Sequence, residues 1–387
     1  MDVGSNEPKS GAATRRRSRR RVFAGVLALG VLVLVLAACE LPKSIEVEGT
    51  TPTTVTVTWV VPESLVGKQQ PYGVFVDGQH RFNVPATAER ATVDALSPST
   101  SYEISLEVLL SNQWTTDGPS VVAQTAPDRY VALGDSYTSG PLIPVQRDDP
   151  GGCLRSTRNY PSVLAPSIGA AEFLDVSCSG AETEDMTAAQ GVSPGPNPPQ
   201  FDSLNANTTV VTLGIGGNDM GFSELATGCA TANPFASPCQ DRYVVNGRDE
   251  ISVRIADTGP KVATVLDGIH ARSPEAEVFV VGYPAVVPDS GNGCWPSMPI
   301  GVPDVPYLRA KVKELNAMLA AEAAANGDTY VDVYTASIGH DPCASSANRW
   351  VEPVIPGSLA APVHPNENGM RGMAGVVLAA LGGAAAA

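Results

Sequence analysis

Beyond residue 128 this 387-residue chain carries five short apolar runs, at 130–133, 173–176, 210–215, 278–281 and 330–333, separated by longer stretches. No other feature constrains the fold as much. Strands that are apolar throughout must be covered on both faces, so the expected architecture is α/β, a parallel sheet between two layers of helices. Two covering helices are readable, at 251–271 and 307–326. In the second, Leu308, Val312, Leu315 and Leu319 recur at i, i+4, i+7 and i+11, which makes one apolar face. Ligands of such sheets bind beyond the carboxyl ends of the strands. Polar residues at those ends are therefore the functional candidates.

The first third of the chain has a different period. Val55, Val57 and Trp59 alternate with threonines, 72–76 is a strand stopped by the turn pair Asp77-Gly78, and Tyr102, Ile104, Leu106 and Val108 alternate again. Short alternating strands predict a β-sandwich. The stretch Leu96-Ser97-Pro98-Ser99-Thr100-Ser101-Tyr102 resembles the tyrosine corner of fibronectin type III domains, and with Trp59 it marks an N-terminal all-β sandwich over 41–125. That resemblance implies a spacer or glycan-contacting module rather than chemistry, with His80 on a solvated loop. Ala126-Pro127-Asp128 is the linker, and the second domain covers 128–387.

Residues 1–38 read as a signal peptide. Seven basic residues against two acids give them +5, so the remainder of a chain of net charge −15 carries −20. An arginine cluster before an apolar run at 22–38 is the layout of an export signal. Its end, Leu36-Ala37-Ala38-Cys39, resembles a bacterial lipobox. This implies lipidation of Cys39 and anchoring to the outer face of the cell membrane. An ordinary Ala-x-Ala cleavage site and an uncleaved anchor stay open as alternatives, and Arg20-Arg21-Val22-Phe23 is weakly similar to a twin-arginine signal. The acidic body repels phosphate backbones, which argues against nucleic acid as a partner.

Six further cysteines, Cys153, Cys178, Cys229, Cys239, Cys294 and Cys343, all lie beyond residue 150. An even number in an exported chain reads as disulfides of several possible connectivities. The lack of a Cys-x-x-Cys pair argues against a zinc ribbon or a thioredoxin-like site.

The first strand runs into Gly134-Asp135-Ser136-Tyr137-Thr138-Ser139-Gly140. A serine at a loop or helix start has free backbone N–H groups beside it that can hold an oxyanion. Alone, the triplet is equally a helix cap. The second strand leads to Ser177-Cys178-Ser179-Gly180, and the third to Gly214-Ile215-Gly216-Gly217-Asn218-Asp219. Asn218 there is either a neutral donor or a turn residue that tolerates left-handed backbone. A nucleophilic serine needs a base, and three histidines follow the sandwich. His270 falls near a helix end, where a cation suits the dipole. His340 stands three residues before Cys343 and reads as structural. His364, in Val363-His364-Pro365-Asn366 ahead of the last helix, is the candidate base.

In this order the Gly-Asp-Ser motif, Gly180, Gly216-Gly217-Asn218-Asp219 and His364-Pro365-Asn366 resemble the SGNH (GDSL) hydrolase superfamily over about residues 128–387. The secreted three-disulfide lipases and esterases are the nearest likeness, and Gly282-Tyr283-Pro284 fits that branch. The resemblance implies a three-layer α/β/α domain with Ser136 as nucleophile and His364 as base. It also implies an oxyanion hole made by the N–H groups of Ser136 and Gly180 and the side chain of Asn218. The implied disulfides are Cys153–Cys178, Cys229–Cys239 and Cys294–Cys343. The implied reaction is hydrolysis of carboxylic esters, of a lipid or an acylated glycan, without metal or cofactor and by a monomer.

The superfamily's aspartate three residues before the histidine is replaced here by Ala361. The expectation is a Ser136–His364 dyad with the Ala361 carbonyl orienting Nδ1–H, Asp341 and Glu352 being the alternatives. Residues 183–200, rich in Pro and Gly, read as a loop over the site. The rival class is a surface adhesion or glycan-binding lipoprotein with an inactive hydrolase domain. The presence of every expected reactive residue argues against it.

Overall fold

The computed structural model describes residues 41–61, 71–110, 113–115, 118–126 and 128–384. The signal peptide, Cys39 and Pro127 of the linker lie outside the described residues.

Eight strands precede the linker: β1 (Glu46–Thr50), β2 (Val55–Thr58), β3 (Tyr72–Val76), β4 (Gln79–Val84), β5 (Arg90–Val93), β6 (Ser101–Leu110), β7 (Gln113–Trp114) and β8 (Ser120–Gln124). They form two antiparallel sheets, β1-β2-β5 and β4-β3-β6-β7, with β8 paired to β6. Alternation decides which face is inside: Val55, Val57 and Trp59 are buried, and the threonines between them are half-buried. The Tyr102 hydroxyl accepts the Ser97 N–H at 2.9 Å, closing the corner ahead of β6. His80 departs from the expected loop position. It lies on β4, still exposed, with Nε2 2.7 Å from Asn83 Oδ1 and its ring stacked on Trp114.

The second domain is built on β9 (Arg129–Gly134), β10 (Glu172–Asp175) and β11 (Val210–Gly214). After the small hairpin β12 (Val244–Val245) and β13 (Arg248–Asp249) come β14 (Glu277–Val281) and β15 (Thr329–Val331). The five long strands pair in parallel in the order β10-β9-β11-β14-β15. Helices α1 (Ser136–Ser139), α2 (Tyr160–Leu164), α3 (Phe222–Gly228), α4 (Pro238–Tyr243), α5 (Glu250–Arg272), α6 (Val305–Asn326), α7 (Val333–Ala336) and α8 (Glu367–Ala384) complete it. The last strand stops at Val331, two residues before the expected end, because Asp332 caps α7 by accepting the Thr335 N–H at 2.9 Å.

Side-chain alternation on β9 sorts the core into two layers. Val131 and Leu133 pack with Val262 and Leu266 of α5 and with Leu315 and Leu319 of α6. Tyr130 and Ala132 pack on the opposite face with Leu164 of α2 and with Met370, Met373 and Val377 of α8. Each fully buried aliphatic side chain contributes roughly 1.5–3 kcal/mol, so the sheet is held from both sides. Disulfides join Cys153 to Cys178, Cys229 to Cys239 and Cys294 to Cys343.

Candidate active site

Three loops leave the carboxyl ends of adjacent strands β10, β9 and β11, and three hydrogen bonds tie them together. Asp135 N–H donates to Gly214 O (2.9 Å), Cys178 N–H to Gly134 O (2.9 Å), and Asn218 Nδ2–H to Ala181 O (2.8 Å). The first loop needs a glycine at its start: Gly134 has φ 149°, and an added Cβ would stand 2.7 Å from Gly214 O. Buried Gln200 braces the same residue, its Oε1 accepting the Gly134 N–H and its Nε2 donating to the Gly134 carbonyl.

Ser136 opens α1, capped by Asp135, whose Oδ1 accepts the Tyr137 N–H at 2.8 Å. Among the described residues no acceptor takes the N–H of Ser136 or of Gly180. Asn218 has one amide hydrogen committed to Ala181 and one left over. These are free donors of the kind an oxyanion requires.

His364 Nε2 lies 2.8 Å from Ser136 Oγ. Its Nδ1 lies 2.7 Å from the carbonyl oxygen of Pro362, not of Ala361. The tight turn explains the correction: the Ala361 carbonyl already accepts the His364 backbone N–H at 3.2 Å, so the next carbonyl faces the ring. Asp341 and Glu352 do not orient the ring either. Asp341 accepts the Cys343 N–H, and Glu352 is occupied by Asn366 and Ser358. With Nδ1–H donated to Pro362, Nε2 is the acceptor that a serine hydroxyl needs. Loss of solvation lowers the pKa of His364, the Pro362 bond acting weakly against it.

The loop that holds His364 is fixed from several sides. The Tyr137 hydroxyl donates to Val363 O at 2.7 Å, and the Tyr137 ring lies 4.9 Å from the imidazole, centroid to centroid. Val363 N–H donates to Glu352 O, and Glu352 N–H to His364 O. Val363 sits at φ 60°, a left-handed conformation that a β-branched side chain disfavours. Burial would raise the Glu352 carboxyl, but bonds from Asn366, Ser358 and Gly357 and the nearby Arg349 charge hold it below its usual range.

Behind Ser136, Asp135 Oδ2 accepts the Tyr283 hydroxyl at 2.5 Å, and the Tyr283 oxygen accepts the Gly217 N–H at 2.9 Å. Burial raises the Asp135 pKa to about 7 despite these bonds. Tyr283 stands in the Gly282-Tyr283-Pro284 segment, but neither that segment nor the sequence around Tyr137 and Gln200 reveals these bonding roles. The partners of these side chains lie between 66 and 226 residues away in sequence.

The other histidines stand elsewhere. His270 Nε2 pairs with Asp328 at 2.8 Å, and His340 stacks on Trp350 with Nδ1 2.5 Å from Asn348 O. Residues 183–200 are pinned down: Thr183 N–H donates to Asp219 Oδ2, Gln190 pairs with Asn197, and Gly152 N–H donates to Pro194 O. A cavity of about 320 Å³ is lined by Thr183, Met186, Asp219 and Lys261 and touches neither Ser136 nor His364. A narrow apolar cleft of about 20 Å³ reaches Val363, the residue before His364. Phe222, Val286, Met298, Ile300, Val354 and Val363 line it.

A family model described as GDSL-like lipase/acylhydrolase matches residues 132–371, and a fibronectin type III model matches residues 40–124. Lipase 2 of Streptomyces coelicolor is 43% identical over 264 residues, 65% of this chain and 85% of that protein. Two solved structures share the fold, each with a TM-score of 0.56. One is phospholipase A1 from Streptomyces albidoflavus, at 28% identity over 66% of this chain and 99% of that one. The other is an extracellular lipase from Streptomyces rimosus, at 30% identity over 65% and 99%. This chain belongs to the GDSL-like lipase/acylhydrolase family and is a carboxylic ester hydrolase, with a fibronectin type III domain ahead of its α/β domain.

Proposed function

We propose that the protein is an exported, membrane-anchored serine hydrolase that cleaves lipid esters through an acyl-enzyme, with Ser136 and His364 as its catalytic pair. The 2.8 Å contact between Ser136 Oγ and His364 Nε2 carries the reading. Ser136 Oγ attacks the ester carbonyl while Nε2 takes its proton, a transfer that contributes roughly 10²–10⁴-fold to rate. The N–H groups of Ser136 and Gly180 and the spare Asn218 amide hydrogen hold the tetrahedral oxyanion. One such donor is worth about 2.7–4 kcal/mol. His364 then protonates the leaving alcohol and activates water to release the acid. Pro362 O supports the imidazolium as a neutral dipole.

The apolar lining around Val363, from Phe222, Met298, Ile300 and Val354, supports a lipid ester over an acylated glycan. The related proteins named lipase and phospholipase A1 favour the same substrate class. The lipobox-like Leu36-Ala37-Ala38-Cys39 supports anchoring, and three disulfides support an oxidising compartment. The test is Ser136→Ala in the full chain, read by p-nitrophenyl ester turnover and fluorophosphonate labelling. Both vanish with circular dichroism unchanged if the assignment holds. Wild-type turnover by the variant refutes it.

A further inference from the structure

Six large apolar side chains stand in solvent on loops of the α/β domain: Leu142, Val145, Phe235, Trp295, Ile355 and Leu359. They expose between 41% (Trp295) and 83% (Phe235) of their area. They belong to four stretches, 136–146, 230–239, 294–301 and 353–363, in which no residue carries a charge, within a chain of net charge −15. Among the described residues beyond 128, these stretches hold seven of the eleven exposed large hydrophobics. Scattered single apolar residues are ordinary; a connected set needs a partner.

Hydrogen bonds and packing show that the loops bearing the set are joined. The Ala361 N–H donates to Pro141 O at 3.0 Å, joining the loop of Ile355 and Leu359 to the loop of Leu142 and Val145. Thr231 N–H donates to Pro299 O, Val302 N–H to Pro234 O, and Trp295 Nε1–H to Thr231 O, joining the stretches of Phe235 and Trp295. The two halves meet at the apolar cleft, where Val354 and Val363 face Met298 and Ile300. The cleft thus lies between the two pairs of loops that carry the exposed apolar side chains, and it includes Val363, the residue before His364.

We infer that these uncharged, apolar loops form a docking face for an electrically neutral lipid surface, which holds the substrate near Ser136 and His364. An anionic surface is disfavoured by the acidic body, and a cationic one would find no carboxylate in the four stretches to grip. Apolar insertion with one tryptophan at the interface suits zwitterionic headgroups over hydrocarbon. The inference takes from the proposed function only that the substrate is a lipid ester.

The test uses the full chain carrying Ser136→Ala, mixed with vesicles of dibrominated phosphatidylcholine, whose bromines quench nearby indoles. A Trp295→Phe counterpart isolates the Trp295 contribution from that of the remaining tryptophans. This readout is local to these loops, so lipid held only at the N-terminus does not produce it. Docking is expected to quench the Trp295 component. Ile355→Ser with Leu359→Ser is expected to raise the lipid concentration at half-maximal quenching by about tenfold or more.

In the chain with an intact Ser136, the same double substitution leaves turnover of a short soluble ester at the wild-type rate, which shows that it folds. No Trp295 quenching, quenching insensitive to the double substitution, or quenching seen only with charged vesicles overturns the inference. A Trp295 signal that depends on protein concentration without lipid assigns the face to a second copy and overturns it as well. Quenching requires no turnover, so it stands or falls separately from the esterase assignment.

Discussion

The hydroxyl of Tyr137 donates to the carbonyl oxygen of Val363 at 2.7 Å, joining the residue after Ser136 to the residue before His364. One side chain thereby sets the spacing of two segments 226 residues apart. Tyr137→Phe removes that bond, worth about 0.5–1.5 kcal/mol net. Turnover number is expected to fall about three- to tenfold with KM nearly unchanged, because the loss is in positioning rather than in substrate contact. A variant with wild-type kcat would show that the bond is only structural.

With His364 as the proposed base, its lowered pKa is expected to set the acid limb of the rate profile. In the proposed pair only the neutral ring accepts the Ser136 proton, so a depressed pKa would keep that base competent at lower pH. The plot of kcat/KM against pH is expected to rise with an apparent pKa below the free-histidine value of about 6.5. An acid limb centred above pH 7 would count against the geometry.

Asp135 titrates the opposite way. Its folded pKa, about 7, lies above the ~3.9 of an unfolded aspartate. The stability it contributes is therefore fully present below about pH 4 and is lost as the pH rises towards 7. Asp135→Asn cannot ionise, so the fall in Tm between pH 4 and 7 is expected to be shallower in the variant. Parallel Tm curves for the two proteins across that window would contradict the assignment.

The Cys153–Cys178 disulfide closes a segment of 25 residues directly beneath the Gly180 loop, where Ser179 N–H also donates to Cys153 O. Replacing both cysteines by serine is expected to cost about 3 kcal/mol in denaturant unfolding. Turnover is expected to fall beyond what the unfolded fraction explains, since the proposed oxyanion donor Gly180 is loosened. Equal fractional losses of structure and activity would confine the bridge to stability.

Apolar periodicity is local, so the strands of the α/β domain, the helix around Leu308–Leu319 and the alternation of Val55, Val57 and Trp59 were legible in the sequence. Ser136, Gly180, Asn218 and His364 were legible as candidates, because each stands at a strand end or in a loop with few roles open to it, and the fold brings Ser136 and His364 into contact. Tyr137, Tyr283 and Gln200 were not legible. Each acts through a hydroxyl or amide whose partner is near only after folding. The Pro362 carbonyl was missed for a related reason. Counting back three residues found the right turn, but backbone torsion chose which of two consecutive carbonyls faced the imidazole.

Val363 pairs a branched side chain with φ 60°, a conformation that costs about 1–3 kcal/mol and persists only under restraint from Tyr137 and Glu352. Such a seat gives way before the sheet beneath it. Warming is therefore expected to silence the enzyme while its far-ultraviolet spectrum still looks native. Cooling from that intermediate temperature is expected to bring the full rate back, because nothing but one sprung turn has relaxed.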